Sequence, residues 1–256
     1  MVTGDYDMPK HAVIIAGGEG TRLRPLTYEI PKPLIPVKGK PIVEYMVRDL
    51  AKNGVNEVVL AIGYKADMIM DYFKDGAGYG IKISYSVENE IMGTGGAAKK
   101  AIEEHFIKKM HGRDDGAELG DFLVVNGDNL YDINLKAMYR LHKAENAVVT
   151  ILVKEVNDVT GYGVVTLEGN VIRKFVEKPD PEKAESHMIN AGVYMLSAKA
   201  LDMMPKRKKF SMEREFFQEI VDNEKMCAYV TDGQWFPADT LDRYEKAIMG
   251  WKPPST

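Results

Sequence analysis

The sequence predicts an α/β protein built on a doubly wound, mostly parallel mixed sheet, followed by a part that is richer in β-structure. Short apolar runs alternate with stretches of helical periodicity from residue 12 to residue 153, which is the pattern of a parallel sheet covered by helices. Residues 122–125 are apolar at every position, as expected for a strand buried on both faces. These two observations carry the prediction of the fold class.

The elements of the first half follow one another in the order that such a sheet requires. Each predicted strand is a run of apolar or alternating residues, and each predicted helix has apolar residues every three or four positions. The predicted strands cover residues 12–16, 57–62, 81–87, 122–125 and 148–153. The predicted helices cover residues 41–54, 67–73, 95–110 and 135–144, and the polar stretch 111–120 is predicted to be a surface loop.

The second half contains fewer helical patterns. Residues 163–167 and 171–176 flank a short turn and predict a hairpin, and residues 190–196 predict a further strand. Ser211 is predicted to cap a helix that ends near Ile220, because a serine oxygen can accept a hydrogen bond from an amide of the first helical turn.

Chemistry is expected at one edge of the predicted sheet. Ligands of open parallel sheets bind beyond the carboxyl ends of the strands. Gly17, Gly63, Glu88 and Asp128 each follow a predicted strand directly or within a few residues, so they are expected to line the same edge.

Composition excludes several classes of protein. The 256 residues carry a formal net charge of −4, which argues against general binding of nucleic acid. Cys227 is the single cysteine and the five histidines show no metal-ligand spacing, so a disulfide or a zinc site is not expected. No apolar run has the length of a membrane span, and the polar start does not resemble a signal peptide, so the predicted location is the cytoplasm.

The most informative stretch is the loop that follows the first strand. It contains three glycines, Gly17, Gly18 and Gly20, and Arg22 and Lys32 add positive charge beside them. Backbone N–H groups that converge with basic side chains suit phosphate oxygens. A tight turn with exposed cations is the alternative, but the prolines from residue 25 to residue 41 stiffen the loop and count against it.

Two familiar phosphate-binding loops do not fit the spacing. A P-loop ends in Gly-Lys-Ser or Gly-Lys-Thr, and neither tripeptide occurs in the sequence. A dinucleotide-binding loop needs a third glycine where Leu23 stands, which disfavours a nicotinamide-dependent oxidoreductase.

Residues 17–27 and 31–37 resemble the sugar-phosphate nucleotidyltransferases, also called NDP-sugar pyrophosphorylases. That family carries Gly-Gly-x-Gly-Thr-Arg-Leu-x-Pro-x-Thr followed by Pro-Lys-Pro-Leu-x-Pro-Val, and this chain has both segments in order. Later segments also match, so the resemblance covers nearly the whole chain. It implies one Rossmann-like nucleotidyltransferase domain over residues 1–256, with a nucleotide-binding half at about 10–150 and a sugar-phosphate-binding half at about 151–250. A C-terminal β-helix domain, which some relatives carry, is not expected.

The resemblance implies a role for each matching position. Binding of the nucleotide is implied for Ala16, Gly17, Gly18, Gly20, Thr21, Glu88, Gly93, Thr94 and Gly95. Binding of the sugar phosphate is implied for Gly163, Glu177, Lys178, Asn190 and Gly192. Arg22 is implied to hold the leaving pyrophosphate, Lys32 to bridge the reacting phosphates, and Asp128 to bind Mg²⁺.

Several of these positions also have simpler interpretations. Without the resemblance, Glu177 and Lys178 would be interpreted as a surface ion pair at a strand end. Asp128 could be a turn residue, although a carboxylate at the end of a buried strand and facing a phosphate loop is better explained as a Mg²⁺ ligand.

One segment departs from the family pattern. Relatives end in Trp-x-Asp-x-Gly-Thr, whose aspartate is the second metal ligand, whereas this chain has Pro237 in that place and Asp239 in the place of the glycine. We predict that Asp239 faces the same metal as Asp128. The alternative is that Asp239 is a turn or helix-cap residue before the helical stretch 241–249.

The resemblance implies transfer of a nucleotidyl group from an NTP to a sugar 1-phosphate, with Mg²⁺ as cofactor. Residues 127–131 favour a glucose-1-phosphate thymidylyltransferase-like activity. Mannose-1-phosphate guanylyltransferase and relatives that use UTP or CTP are the alternatives, and a non-catalytic regulatory homologue is less favoured because Arg22, Lys32 and Asp128 are intact. A homo-oligomer is compatible with the resemblance.

Overall fold

The computed structural model describes residues 8–108 and 120–254, so most of the loop predicted at 111–120 lies outside the described residues. The described strands are β1 His11–Ala16, β2 Pro36–Val37, β3 Lys40–Pro41, β4 Glu57–Ile62, β5 Lys82–Val87, β6 Phe122–Asn126, β7 Asn129–Tyr131, β8 Val149–Glu155, β9 Gly163–Glu168, β10 Val171–Glu177, β11 Met188–Leu196, β12 Met226–Val230 and β13 Trp235–Pro237. The described α-helices are α1 Leu26–Glu29, α2 Ile42–Lys52, α3 Ala66–Phe73, α4 Gly93–Ile102, α5 Leu135–Ala144, α6 Ala198–Met203, α7 Gln218–Ile220 and α8 Leu241–Gly250.

Nine of the described strands form one mixed sheet, in the order β5-β4-β1-β6-β11-β8-β12-β10-β9. The first four are parallel to one another. β11 runs antiparallel to both β6 and β8, and β9 and β10 form the predicted antiparallel hairpin. The parallel arrangement predicted for most of the sheet therefore holds for its first four strands and for the pair β8–β12, and the other neighbouring pairs in the sheet order are antiparallel. A parallel pair needs a long crossover connection, whereas the short turn between β9 and β10 makes that pair antiparallel.

Helices cover both faces of the parallel strands. On β4, Val59 and Ala61 contribute to one hydrophobic core, and Val58, Leu60 and Ile62 contribute to the other. The first core includes the apolar side of α4, and the second includes those of α2, α3 and α5. This alternation explains why the whole of β4 is buried.

The predicted elements agree closely with the structure where the periodicity is strong. The strand at 57–62 and the helix at 135–144 have the predicted bounds. The helix predicted at 95–110 begins earlier, at Gly93, and continues after Ile102 as the π-helical turn Glu103–Ile107. Ser211 caps a helical segment as predicted, since its hydroxyl accepts from the Arg214 amide, but that segment, Met212–Phe217, is π-helical. The strands β12 and β13 were not predicted.

A small ribbon brings the end of the chain to the edge of the sheet where β6 ends. β13 pairs antiparallel with β7, so Pro237 lies opposite Asn129. The Ala238 amide then donates to the Asp128 carbonyl at 3.1 Å. Residues 128 and 239 are thereby held on neighbouring segments of backbone.

None of the helices in the described residues has both the length and the apolar character needed to cross a membrane. Cys227 is a free cysteine that is buried in β12.

Candidate active site

Two adjoining cavities open at the carboxyl ends of the strands. The loop cavity, of about 510 Å³, lies above β1, β4, β5 and β6. The hairpin cavity, of about 560 Å³, lies beside the β9–β10 hairpin and β11. We call the residues that line both cavities the junction; they are Arg22, Gly93, Thr94, Asn126, Asp128 and Asp239.

The loop cavity collects most of the residues predicted for the nucleotide. Gly17, Gly63, Glu88 and Asp128 all line it, so the prediction that the strand ends share one edge is confirmed. The predicted positions that line this cavity are Ala16, Gly17, Gly18, Gly20, Thr21, Glu88, Gly93 and Thr94.

The conformation of the glycine-rich loop explains why glycine stands at positions 18 and 20. Gly20 has a φ of +63°, and a Cβ there would lie 2.9 Å from the Thr27 methyl group and 3.0 Å from the Lys32 Cβ. The Thr27 hydroxyl donates to the Gly20 carbonyl at 3.0 Å, which holds the turn against the following helix. No described atom lies within 4 Å of a Cβ position at Gly18, so its backbone is open to the cavity. An open backbone at Gly18 suits close approach of a ligand oxygen.

Gly95 has a different environment from the one expected. Gly95 is not one of the described residues that line the two cavities. A Cβ at Gly95 would overlap the ring of Phe210, and one at Gly96 would overlap the Lys208 carbonyl oxygen. These glycines therefore let α4 pack against the segment 208–210, and the nucleotide-binding role predicted for Gly95 stays a prediction.

We expect Gly95→Ala to destabilise the protein by about 1–3 kcal/mol, the usual cost of overpacking a close-packed core. The matched control is Gly78→Ala, where no described atom lies within 4 Å of the new Cβ. Urea unfolding of both variants measures the difference. Equal unfolding free energies for the two variants would contradict the packing role of Gly95.

The hairpin cavity collects all the residues predicted for the sugar phosphate: Gly163, Glu177, Lys178, Asn190 and Gly192. Lys178 has a φ of +52°, and its amide donates to the Tyr162 carbonyl at 3.1 Å. Burial raises the pKa of Glu177, and the negative charge of Glu213 adds to the increase, whereas the Lys178 ammonium opposes it. The Lys178 ammonium lies 3.6 Å from a Glu177 carboxylate oxygen, so the ion pair at this strand end is present, and both residues also line the hairpin cavity.

Opposite charges meet at the junction. The Lys32 ammonium lies 2.6 Å from an Asp128 carboxylate oxygen, and its side chain is only 11% exposed. Arg22 lies 2.8 Å from Asp239, whose other partner is Arg243 at 2.9 Å. Burial raises the pKa of Asp239, but the hydrogen bonds and charge of Arg243, with the charges of Arg22 and Lys32, outweigh burial and leave that pKa below its ordinary value.

Asp239 is not the cap of the last helix. Thr240 is the N-cap residue of α8, and its side chain accepts from the Arg243 amide. The carboxylate of Asp239 instead faces the junction.

A family model described as "Nucleotidyl transferase" matches residues 11–251 of the chain. The chain belongs to the nucleotidyl transferase family. Its match covers all of the residues that form the two cavities.

Individual relatives of this nucleotidyl transferase differ in their named substrates. The chain is 36% identical over 91% of its length to a D-glycero-alpha-D-manno-heptose 1-phosphate guanylyltransferase of Campylobacter jejuni, of which it covers 96%. It is 33% identical over 93% of its length to a UTP–glucose-1-phosphate uridylyltransferase of Synechocystis, but it spans only 62% of that protein. The solved structure of HddC from Yersinia pseudotuberculosis complexed with GMP-PN matches 95% of this chain and 100% of that one, with a TM-score of 0.73 and 29% identity.

Sequence reasoning missed the network around Glu213. This buried carboxylate lines the hairpin cavity and accepts hydrogen bonds from Thr94 at 2.6 Å, Ser211 at 2.8 Å and Tyr194 at 3.0 Å. Tyr194 in turn accepts from the Asn190 amide group at 2.9 Å. The network fixes Thr94 of the junction relative to Asn190 of β11. Its partners are far apart in sequence, so no local motif indicates it.

Arg243 of α8 was also missed. Besides its contacts with Asp239, it donates to the Thr160 carbonyl at 3.2 Å, and its guanidinium lies 4.4 Å from the centre of the Tyr162 ring. It thus connects Asp239 to the loop that leads into the hairpin cavity. The only sequence signal is an arginine four residues after an aspartate at a helix start, a spacing that allows an ion pair.

The junction fits a divalent cation that also binds phosphate. Within the described residues, no group of three or more His, Cys, Asp or Glu side chains could hold a metal by itself. Mg²⁺ commonly uses one or two carboxylates together with substrate phosphates, so Asp128 and Asp239 form a suitable pair. The cationic groups of Lys32 and Arg22 already lie against these two carboxylates.

Proposed function

We propose that this nucleotidyl transferase joins a nucleoside triphosphate to a sugar 1-phosphate and releases pyrophosphate. The proposal rests on one observation. The two cavities adjoin at the junction, where acidic side chains pair with basic ones. The loop cavity supplies backbone N–H groups and cations for a triphosphate, and the hairpin cavity supplies polar side chains for a sugar. The two substrates would then meet at Lys32 and Asp128.

The geometry supports direct transfer between the substrates. An oxygen of the sugar phosphate attacks the α-phosphorus of the triphosphate, and the bond from that phosphorus to the pyrophosphate oxygen breaks. The nucleophile is already an anion, so no general base is required. The protein therefore acts by positioning the two substrates and by neutralising the repulsion between their phosphates.

Each basic group has a place in this scheme. The loop from Gly17 to Arg22 holds the pyrophosphate part, and Lys32 lies between the α-phosphate and the incoming phosphate. Lys178 faces the sugar phosphate, with Glu177 and Asn190 near the sugar hydroxyls. Mg²⁺ held by Asp128 and Asp239 would supply further neutralisation of phosphate charge.

The identities of the base and of the sugar form the more specific part of the proposal. Residues 127–131 favour glucose 1-phosphate and dTTP, whereas a relative with 96% of its length covered is named for GTP and a heptose phosphate. Thymine and guanine are therefore both candidate bases for the loop cavity.

A pyrophosphate-release assay tests the proposal. We expect turnover when the protein is given dTTP, UTP, GTP, CTP or ATP in turn with the 1-phosphates of glucose, mannose and heptose, and we expect one base to exceed the others at least tenfold. Product mass should equal that of an NDP-sugar. Absence of pyrophosphate with every pair, from protein that unfolds cooperatively, would favour the non-catalytic alternative.

A further inference from the structure

Glu213 places a buried carboxylate in the wall of the cavity that the proposed function gives to the sugar. It belongs to the π-helical segment Met212–Phe217, is only 8% exposed and lines the hairpin cavity. Burial of a carboxylate is unfavourable unless hydrogen bonds satisfy its oxygens. Three hydroxyl groups do so here, and they belong to Thr94, Ser211 and Tyr194. The directions of these hydrogen bonds determine what the neighbouring side chains present to the cavity.

Two of the hydroxyls share one carboxylate oxygen. The Thr94 hydroxyl accepts from the Met212 amide at 2.9 Å. The Ser211 hydroxyl accepts from the Arg214 amide at 3.2 Å. A hydroxyl group has a single hydrogen, and a backbone N–H can only donate. Thr94 and Ser211 therefore both direct their hydrogens to Oε2 of Glu213, at 2.6 and 2.8 Å.

The third hydroxyl connects the other carboxylate oxygen to Asn190. The Gly192 amide donates to the Asn190 Oδ1 at 2.9 Å, which leaves the Asn190 Nδ2 on the side of Tyr194. The Tyr194 hydroxyl accepts from this Nδ2 at 2.9 Å and donates its own hydrogen to Oε1 of Glu213 at 3.0 Å. A carboxylate is needed at the end of this series, because it accepts at every position and donates at none.

An irregularity in β11 directs the Asn190 side chain to the hairpin cavity. The pairing of β11 with β8 shifts register between Asn190 and Tyr194, and Gly192 between them has a φ of +84°. Such bulges re-aim side chains beside active sites. Asn190 lines the cavity, and one of its two Nδ2 hydrogens is used by Tyr194. The other has no acceptor within residues 8–108 and 120–254, so it is available to a ligand oxygen.

We propose that Glu213 is a positioning residue that determines how Asn190 binds the sugar. Acting through Tyr194, its carboxylate orients the Asn190 amide so that the free N–H donates to one hydroxyl of the sugar 1-phosphate. The same carboxylate holds Thr94 of the junction through its other oxygen. This inference rests on the proposed function and specifies how its sugar is recognised.

The first test uses Tyr194→Phe, which keeps the ring and removes the link between Glu213 and Asn190. The probe is whichever of the glucose, mannose and heptose 1-phosphates gives the highest kcat/KM. We expect its KM to rise at least about fivefold, the lower end of the effect of leaving a buried polar group without its partner. The KM for the nucleoside triphosphate should stay unchanged. An unchanged KM for the sugar 1-phosphate would overturn the proposal.

Tyr139→Phe is the matched control for this variant. Tyr139 of α5 is also buried, and its hydroxyl donates to an Asp121 carboxylate oxygen at 2.9 Å, outside both cavities among the residues described. We expect a similar loss in the free energy of unfolding, measured in urea, with both KM values retained. A rise in the KM for the sugar 1-phosphate in this control would show that loosening of the fold explains the effect.

Monodeoxy forms of the same sugar 1-phosphate test the contact itself. In the unaltered protein, we expect one of them to lose at least about fivefold in kcat/KM. In Tyr194→Phe, the penalty for that same deoxy position should disappear. A penalty of equal size in both proteins would show that Tyr194 does not orient the group that binds this hydroxyl, which would refute the proposal.

Glu213→Gln tests whether the carboxylate acts through Tyr194. Two hydroxyls donate to Oε2 and one to Oε1, so the glutamine should keep its oxygen on the Oε2 side and turn its amide nitrogen to Tyr194. That nitrogen cannot accept, so we expect the KM for the sugar 1-phosphate to rise as in Tyr194→Phe. The double variant should have no higher KM than either single variant, because both changes break one series of hydrogen bonds. Additive effects would refute the action through Tyr194.

Glu168→Gln is the control for the lost charge, because it neutralises a carboxylate that is 73% exposed in the β9–β10 hairpin, and it should retain both KM values. If Glu213→Gln does not unfold cooperatively, Tyr194→Phe and the deoxy series decide the question. Turnover in the unaltered protein with an unchanged KM in Tyr194→Phe would leave nucleotidyl transfer in place and refute the role of Glu213. Absence of turnover with every pair of substrates would refute the function itself.

Discussion

Lys32→Ala is expected to lower kcat by two or more orders of magnitude while the fold survives. The Lys32 ammonium lines the loop cavity and lies 2.6 Å from Asp128 of the junction, where the two phosphates would meet. Losing one preorganised donor to a transition state costs about 3–4 kcal/mol, which corresponds to this change in rate. The fold should tolerate the change because Asp128 is 37% exposed and water can solvate its freed carboxylate.

Steady-state kinetics and urea unfolding measure the two parts of this prediction separately. Lys183→Ala is the matched control, because it removes a lysine that is 81% exposed and lies outside both cavities among the residues described. A folded Lys32→Ala enzyme with near-normal kcat would contradict the role assigned to Lys32.

Asp128→Asn is expected to abolish most activity, with a loss of at least about a hundredfold, because the variant removes the carboxylate shared by Lys32 and the proposed Mg²⁺. The unaltered enzyme should lose activity in excess EDTA and regain it with Mg²⁺. Binding of Mn²⁺, followed by electron paramagnetic resonance, should weaken in Asp128→Asn and in Asp239→Asn.

Asp232→Asn provides the control for these variants, because it neutralises an exposed aspartate that follows β12. Full activity in EDTA would remove the metal from the mechanism. Unchanged Mn²⁺ binding in Asp239→Asn would contradict only the assignment of Asp239 as second ligand, in which case the carboxylate serves Arg22 and Arg243 alone.

Those parts of the structure that depend on local periodicity could be predicted from the sequence. The strand at 57–62 is one example, because its run of apolar residues is bounded by turn signals. The positions lining the loop cavity followed from a second simple rule, that loops after parallel strands share an edge. The orientation of β11 could not be predicted, because antiparallel pairing with β6 depends on contacts between segments far apart in the chain.

Individual side-chain roles were harder to predict. Gly95 lies in the same glycine-rich segment as Gly93, but only the structure shows that Phe210 occupies the space beside it. Glu213 and Arg243 act through partners that are mostly far from them in sequence, such as Thr94 for Glu213 and Thr160 for Arg243, so local patterns do not reveal these contacts. Asp239 was assigned to the junction from its family pattern, whereas its two arginine partners follow only from the folded arrangement.

The β7–β13 ribbon has a consequence for synthesis of the protein on the ribosome. Asp128 leaves the ribosome early, whereas Asp239 is delivered by β13 and the residues after it. At roughly 5–20 residues per second, translation of the intervening segment takes about 5–20 s. During that interval the Arg22–Asp239 pair cannot form, because Asp239 has not yet been added to the chain. Arg22 of the glycine-rich loop therefore gains this acidic partner only after residue 239 has been added to the chain.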